Sequence, residues 1–167
     1  MNRILVATDG SPSSATAVQF AAELAAAHGS DLHIVHVVPT VDVVTIYGIE
    51  SPGSAWPHNP TEHDHVILAE AAALAAQHGV VATTALLGGS PVTAILASAD
   101  SQNVDLTIVG TRGHGAVASA LLGSVSLGVL QHATRRVVIV RGEERPGRVS
   151  EPGAGHVQER FETGMSR

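Results

Sequence analysis

The residues of this chain best placed to do chemistry lie between positions 110 and 126. Gly110-Thr111-Arg112-Gly113 is followed, after nine intervening residues, by Gly123-Ser124-Val125-Ser126. The apolar run Val104 to Val109 precedes the motif, and the amphipathic stretch Leu127 to His132 follows it. A strand that ends in glycines and re-enters a helix through Gly-Ser presents bare backbone N–H groups. Glycine permits close approach, the helix N-terminus supplies positive potential, and hydroxyls add donors, which together suit a phosphate group. The pattern points to a nucleotide.

Other chemistries fit less well. The motif lacks the Gly-Lys-Ser/Thr of a P-loop, and Gly110-x-x-Gly113-x-Gly115 is not the dinucleotide fingerprint, which follows a first strand. Gly123 to Gly128 misses the spacing of a nucleophilic serine elbow by one residue. The chain has no cysteine, and all nine of its basic residues are arginine. Thiol catalysis, thiolate zinc sites, Schiff bases and a phosphate-binding lysine are therefore excluded. His33 and His36 are three apart on a strand and point to opposite faces, so they cannot chelate together. His58, His63 and His65 show no ligand pattern, and the ten histidines read as scattered surface and capping residues.

Elements with a clear order must position the motif. Ile4 to Ala7 reads as a buried strand stopped by Thr8-Asp9-Gly10. Ser11 then caps a helix with Pro12 in its first position, and Gly29 ends it after His28. Strands are expected at 31–38, 80–87, 104–109 and 137–140. Further helices are expected from about Thr61 to His78, from a capped start at Ser90-Pro91 to about Ala99, and from the motif to about Ala133. Residues 40–60, rich in Gly and Pro, read as a variable loop. Residues 142–167 carry few apolar side chains and read as a disordered tail. Strand–helix alternation with right-handed crossovers implies an α/β fold. It is a single-domain, Rossmann-like, open parallel sheet of five strands in the order 3-2-1-4-5, with helices on both faces. Ligands of such sheets bind beyond the carboxyl ends of the strands where the order reverses. Ala7, Thr8 and Asp9 would meet Gly110 to Gly113 there.

Composition agrees with this reading. Hydrophobic residues make up 44% of the chain and aromatics only 2%, so the core is built of Ala, Val, Leu and Ile, as parallel strands between Ala-rich helices require. A formal charge of −6 without an Arg-rich face argues against nucleic acid. Nothing approaches the ~18 consecutive apolar residues of a membrane span, and the opening apolar run is too short for a signal peptide. The expectation is a cytoplasmic protein with no membrane partner.

With these residues in view, the chain resembles the universal stress protein family, whose nucleotide-binding members carry Gly-two-Gly-nine-Gly followed by Ser or Thr. Gly110, Gly113, Gly123 and Ser124 match without a gap. Ile4 to Ser11, the strand ending His36-Val37-Val38, and Gly123-Ser124-Val125-Ser126 are similar to the family's other signatures, and the likeness runs over residues 1–141. It implies that Asp9 and the backbone around Val37 face adenine and ribose, and that Gly110 and Gly113 lie along ribose and phosphates. It also implies that Gly123, Ser124 and Ser126 hold the phosphate end, with Mg²⁺ or Mn²⁺ bridging phosphate oxygens. Ala7 stands where some members have proline, and Arg136 precedes the last strand where proline is common.

Each site residue also has a plainer role open to it. The glycines would serve as turn residues, Asp9 would bond its own turn, Ser124 would cap the last helix, and Arg112, a candidate partner for a phosphate, and His114 would instead be solvated. Without lysine or an evident base, the motif predicts ATP binding with slow hydrolysis at most. The function expected is an ATP-binding regulatory or stress-response protein, homodimeric through the edge strand 137–140, whose bound nucleotide acts as a conformational signal. Its regulatory protein partner is not specified by the sequence. The alternatives are an interaction module of the same fold that binds no nucleotide, and a binder of AMP or a cyclic nucleotide.

Overall fold

A computed structural model of the chain describes residues 1–38, 41–42, 55–56, 60–111 and 122–142. Arg112, Gly113, His114 and the tail from 143 onward lie outside the described residues.

Helix α1 (Pro12–His28) follows strand β1 (Arg3–Ala7) and is bounded by local chemistry at both ends. The Ser11 hydroxyl accepts the Ser14 N–H at 3.2 Å, Pro12 needs no N–H partner in the first turn, and Gly29 closes the helix at φ +63°. Strand β2 (Asp31–Val38) follows. The segment read as a plain loop contains a two-residue antiparallel ladder, β3 (Val41–Asp42) with β4 (Ala55–Trp56).

Helix α2 (Glu62–Gln77) is capped by Thr61, which exchanges hydrogen bonds with Asp64 in a capping box. The next strand, β5, spans Thr83–Gly88 and starts three residues later than the expected Val80. The amides of Gly79 and Val80 still close the end of α2 on Ala76 and Ala75, so they cannot enter the sheet ladder. Val81 is 96% exposed.

Helix α3 (Pro91–Ser101) begins at Ser90, which makes no side-chain cap bond, contrary to the expected capped start. Strand β6 (Leu106–Gly110) also begins later than expected, because the Val104 amide terminates α3 on Ala99. Helix α4 (Ser124–His132) leads to β7 (Arg136–Val140), which Arg136 opens rather than precedes.

Strands β5-β2-β1-β6-β7 form one sheet in that order, and every pairing is parallel. This is the expected 3-2-1-4-5 arrangement. Alternate residues feed two cores. Ile4, Val6, Leu32, Ile34, Leu106 and Ile108 pack with α1 and α2, while Leu5, Val35 and Val109 pack with α3 and α4. Burying each such branched side chain contributes about 1.5–3 kcal/mol. The two cores hold the sheet rigid beneath its carboxyl edge.

Candidate functional site

The register Val6↔Ile108 brings the residues after β1 and the residues ending β6 to one edge of the sheet. The turn after β1 is held by a compact set of hydrogen bonds. Thr8 extends the ladder, its N–H donating to Val35 O at 2.9 Å. Its hydroxyl accepts the Gly10 N–H at 3.2 Å and pairs with the Ser14 hydroxyl at 3.1 Å. The Asp9 carboxylate accepts the Ser11 N–H at 3.1 Å, and the Asp9 N–H donates to Ser14 Oγ at 3.3 Å. Asp9 therefore does bond its own turn, an Asx-type contact that orients its half-buried side chain. Gly10 adopts φ +79°, a conformation that favours glycine.

Behind this turn lies a pair that sequence reasoning missed. His36 is 7% exposed, against the expectation that the histidines are surface and capping residues. Its Nδ1 is 2.8 Å from Thr8 O and its Nε2 is 3.0 Å from Asp64 Oδ1. The other Asp64 oxygen accepts the Thr61 hydroxyl at 2.6 Å and the Thr61 N–H at 2.7 Å. Those bonds from Thr61, then that from His36, hold the Asp64 carboxyl well below the usual carboxylate range. Two signals were available in the sequence. His36 occupies an inward position of β2, and Thr61-x-x-Asp64 is a capping-box spacing.

On the β6 side, Gly110 is buried, and a Cβ there would stand 2.8 Å from the Ser13 carbonyl oxygen. Close approach of the α1 backbone therefore accounts for this glycine without a ligand. The Thr111 N–H donates to Val140 O at 2.9 Å, and the Gly123 N–H donates to Thr111 O at 2.7 Å. These bonds fasten both ends of the segment 112–122 to the carboxyl edge beside β7. Arg112 and Gly113, expected along the phosphates, fall in that segment and outside the described residues.

The start of α4 corrects one detail. Gly123, not Ser124, is the N-cap, and it has no side chain with which to cap the helix. The first helical bond runs from Leu127 N to Gly123 O, so the amides of Ser124, Val125 and Ser126 have no acceptor within the helix. Ser126 is 4% exposed and turns inward. Its hydroxyl donates to Gly110 O at 2.7 Å and lies 3.2 Å from Thr111 O. Its side chain joins the helix start to the end of β6, leaving its backbone N–H directed with those of Ser124 and Val125. Ser124 is exposed and Val125 half-buried.

On the other side of β1, Ala7 and Val37 are half-buried on the face covered by α3 and α4. Val37 pairs with Leu87, and Gly89 donates to Val38 O at 3.2 Å, which ends β2 at the same edge. The described part of the site thus places Ala7–Asp9, the end of β2, Gly110 and the α4 start along one edge. Its donors are backbone amides, hydroxyls and a helix terminus, which fit a phosphate without lysine. Among the described residues no group of three or more His, Asp or Glu side chains could hold a metal ion. No helix among them is long and apolar enough to cross a membrane.

Comparison with known proteins places this geometry. The model of the universal stress protein family matches residues 1–141. The chain is similar to universal stress protein YxiE of Bacillus subtilis, 36% identical over 146 residues, which cover 84% of this chain and 99% of that protein. It is 39% identical over 139 residues to a universal stress protein of Thermus aquaticus, covering 83% and 97% of the two chains. A 34% identical universal stress protein of Mycobacterium tuberculosis is matched over 50% of its own length. Among solved structures, a universal stress protein in complex with cAMP is 29% identical at a TM-score of 0.63, covering 85% of this chain and 98% of that one.

Proposed function

The chain belongs to the universal stress protein family, and from that premise we propose that it is an adenine-nucleotide-binding regulatory protein whose ligand lies across the carboxyl edge between β1 and β6. The observation that carries this reading is the convergence of two features. The hydrogen-bonded turn at Thr8–Ser11 and the start of α4 on Gly123 stand at the point where the strand order reverses.

In this reading residues 1–141 form the nucleotide-binding domain. Asp9 and the backbone around Val37 face adenine and ribose, and Ala7 and Thr8 shape the floor beneath them. Gly110, Arg112 and Gly113 follow the ribose and phosphates. The amides of Ser124, Val125 and Ser126, with Gly123 and the Ser124 hydroxyl, take the phosphate end. A bound Mg²⁺ or Mn²⁺ would neutralise phosphate charge and be held by phosphate oxygens.

The ligand is ATP in the first instance, acting as a conformational signal with slow or no hydrolysis. Hydroxyls and amides bind phosphate, but the chain has no lysine, and the described residues place no base to drive its transfer. The solved relative that holds cAMP favours a second ligand, a cyclic or monophosphate adenine nucleotide. Calorimetry with ATP·Mg²⁺, AMP and cAMP tests the reading. Saturating nucleotide at a hundredfold excess over its dissociation constant should stabilise the fold by about 2.7 kcal/mol. No heat from any of the three, with an unchanged melting curve, would transfer the protein to the class of interaction modules that share this fold.

A further inference from the structure

The geometry points to His36 as a proton-sensitive positioning residue for the turn after β1, so that the conformation of Thr8–Ser11 depends on the charge of its ring. The inference rests on the reading of that turn as part of the nucleotide site and adds a regulation to it.

Both ring nitrogens of His36 face oxygen atoms, the Thr8 carbonyl at 2.8 Å and the Asp64 carboxylate at 3.0 Å. Neither oxygen is a donor when Asp64 is ionised, so only a ring carrying both protons makes two hydrogen bonds. Asp64 is kept ionised by the bonds it accepts from Thr61 and His36. Loss of a proton from the ring leaves one lone pair facing an oxygen at about hydrogen-bond distance, the tautomer deciding which contact fails, and a ring flip would turn carbon atoms toward both oxygens. One of the two links must then lengthen.

The link at risk on the β1 side is the one that shapes the site. Thr8 receives the ring at its carbonyl and supports the turn with its hydroxyl, which accepts the Gly10 N–H and pairs with Ser14. Helix α2 touches the same turn a second time, because a Cβ on Gly10 would lie 3.0 Å from Ile67 Cγ1. A shift of Thr8 or of α2 therefore reaches Asp9 and Gly10 directly. Among the described residues the groups facing the ring from each packed element are few. Helix α2 contributes Asp64, while its Glu62, His63 and His65 are exposed. Strand β1 contributes the Thr8 carbonyl, with Asp9 the next carboxylate along the chain. Strand β5 sets Leu86 opposite His36, and α1 contributes the neutral Ser14 hydroxyl through Thr8.

The test is an NMR titration of the full-length, nucleotide-free protein between about pH 5.5 and 9, following the His36 ring nitrogens and the amides of Asp9, Gly10 and Ser11. The amides should move with the same midpoint as the ring. Asp64→Asn keeps an acceptor oxygen but removes the charge, and should carry both midpoints to lower pH together. Affinity for ATP·Mg²⁺ should fall about tenfold as the pH rises through that midpoint, the worth of one ordinary hydrogen bond, and should stay level in His36→Gln. Amides that ignore the ring's titration, or a wild-type affinity that stays level across it, would overturn the proposal. If ATP·Mg²⁺ binds at no pH, the nucleotide reading fails, and the coupling of amides to ring still decides this one. Should His36→Gln not fold, the wild-type and Asp64→Asn titrations carry the test.

Discussion

The carbonyl oxygen of Ser13 stands 2.8 Å from the place a Cβ on Gly110 would occupy. The first glycine of the spaced motif is thus required by helix α1 itself. Gly142 is under a similar constraint, its Cβ position lying 3.0 Å from Ser13 Cα. One short residue of α1 is enclosed by two glycines from the other half of the fold.

Gly110→Ala should therefore destabilise the nucleotide-free protein by about 1–3 kcal/mol, the usual penalty for overpacking a site that must move backbone to adapt. Urea unfolding of nucleotide-free protein measures it. A glycine needed only for phosphate approach would leave that unfolding curve unchanged.

Ser126→Ala removes the hydroxyl that donates to Gly110 O and lies near Thr111 O. Leaving buried carbonyls without that donor should cost about 1–3 kcal/mol. The loss should appear in thermal or urea unfolding without nucleotide, because the bond lies within the fold.

Acid should weaken the fold through two carboxylates. Asp64 is held low by Thr61 and then by His36. Asp105 is held low by the N–H groups of Asn2 and then Arg3, at 2.6 and 3.1 Å. A carboxyl whose folded-state value is depressed contributes fully above its ordinary value, about 3.9, and loses that contribution as the pH falls through the depressed value. Unfolding midpoints should thus decline progressively below about pH 4. Asp105→Asn should be less stable at neutral pH and show a shallower acid slope, as denaturant midpoints across the acid range would reveal.

Strand β7 ends the sheet, paired with β6 on one side and with no further strand among the described residues on the other. Val137 to Val140 are half-buried, and an apolar edge of this kind invites pairing with another strand. Two copies joined across a two-fold axis would cover it. Light scattering should give twice the chain mass of 17.0 kDa. Lys at Val140 should lower that mass by placing a charge without a partner in the contact. A monomer for the unmodified chain would refute the pairing.

What the sequence determined by itself was much of what near neighbours hold, though not the cap at Ser90 or the exact start of α4. Ser11-Pro12 and Gly29 bound α1, and Thr61 starts α2, because caps act over three or four residues and need no distant partner. Alternation of buried strands with helices also determined the strand order, since right-handed crossovers leave few topologies. For the same reason Gly110 and Gly123 stand at the carboxyl edge, where that order reverses. Tertiary structure alone decided what those residues touch. Val80 reads as strand, yet its amide closes α2, a competition between two hydrogen-bond partners that periodicity cannot register. Gly110 meets Ser13, Ser126 turns to Gly110, and His36 joins Thr8 to Asp64. The Gly110 and His36 contacts span a crossover or more of chain and that of Ser126 spans sixteen residues, so these partners are chosen by the packing of the sheet and its helices, and by nothing adjacent in the sequence.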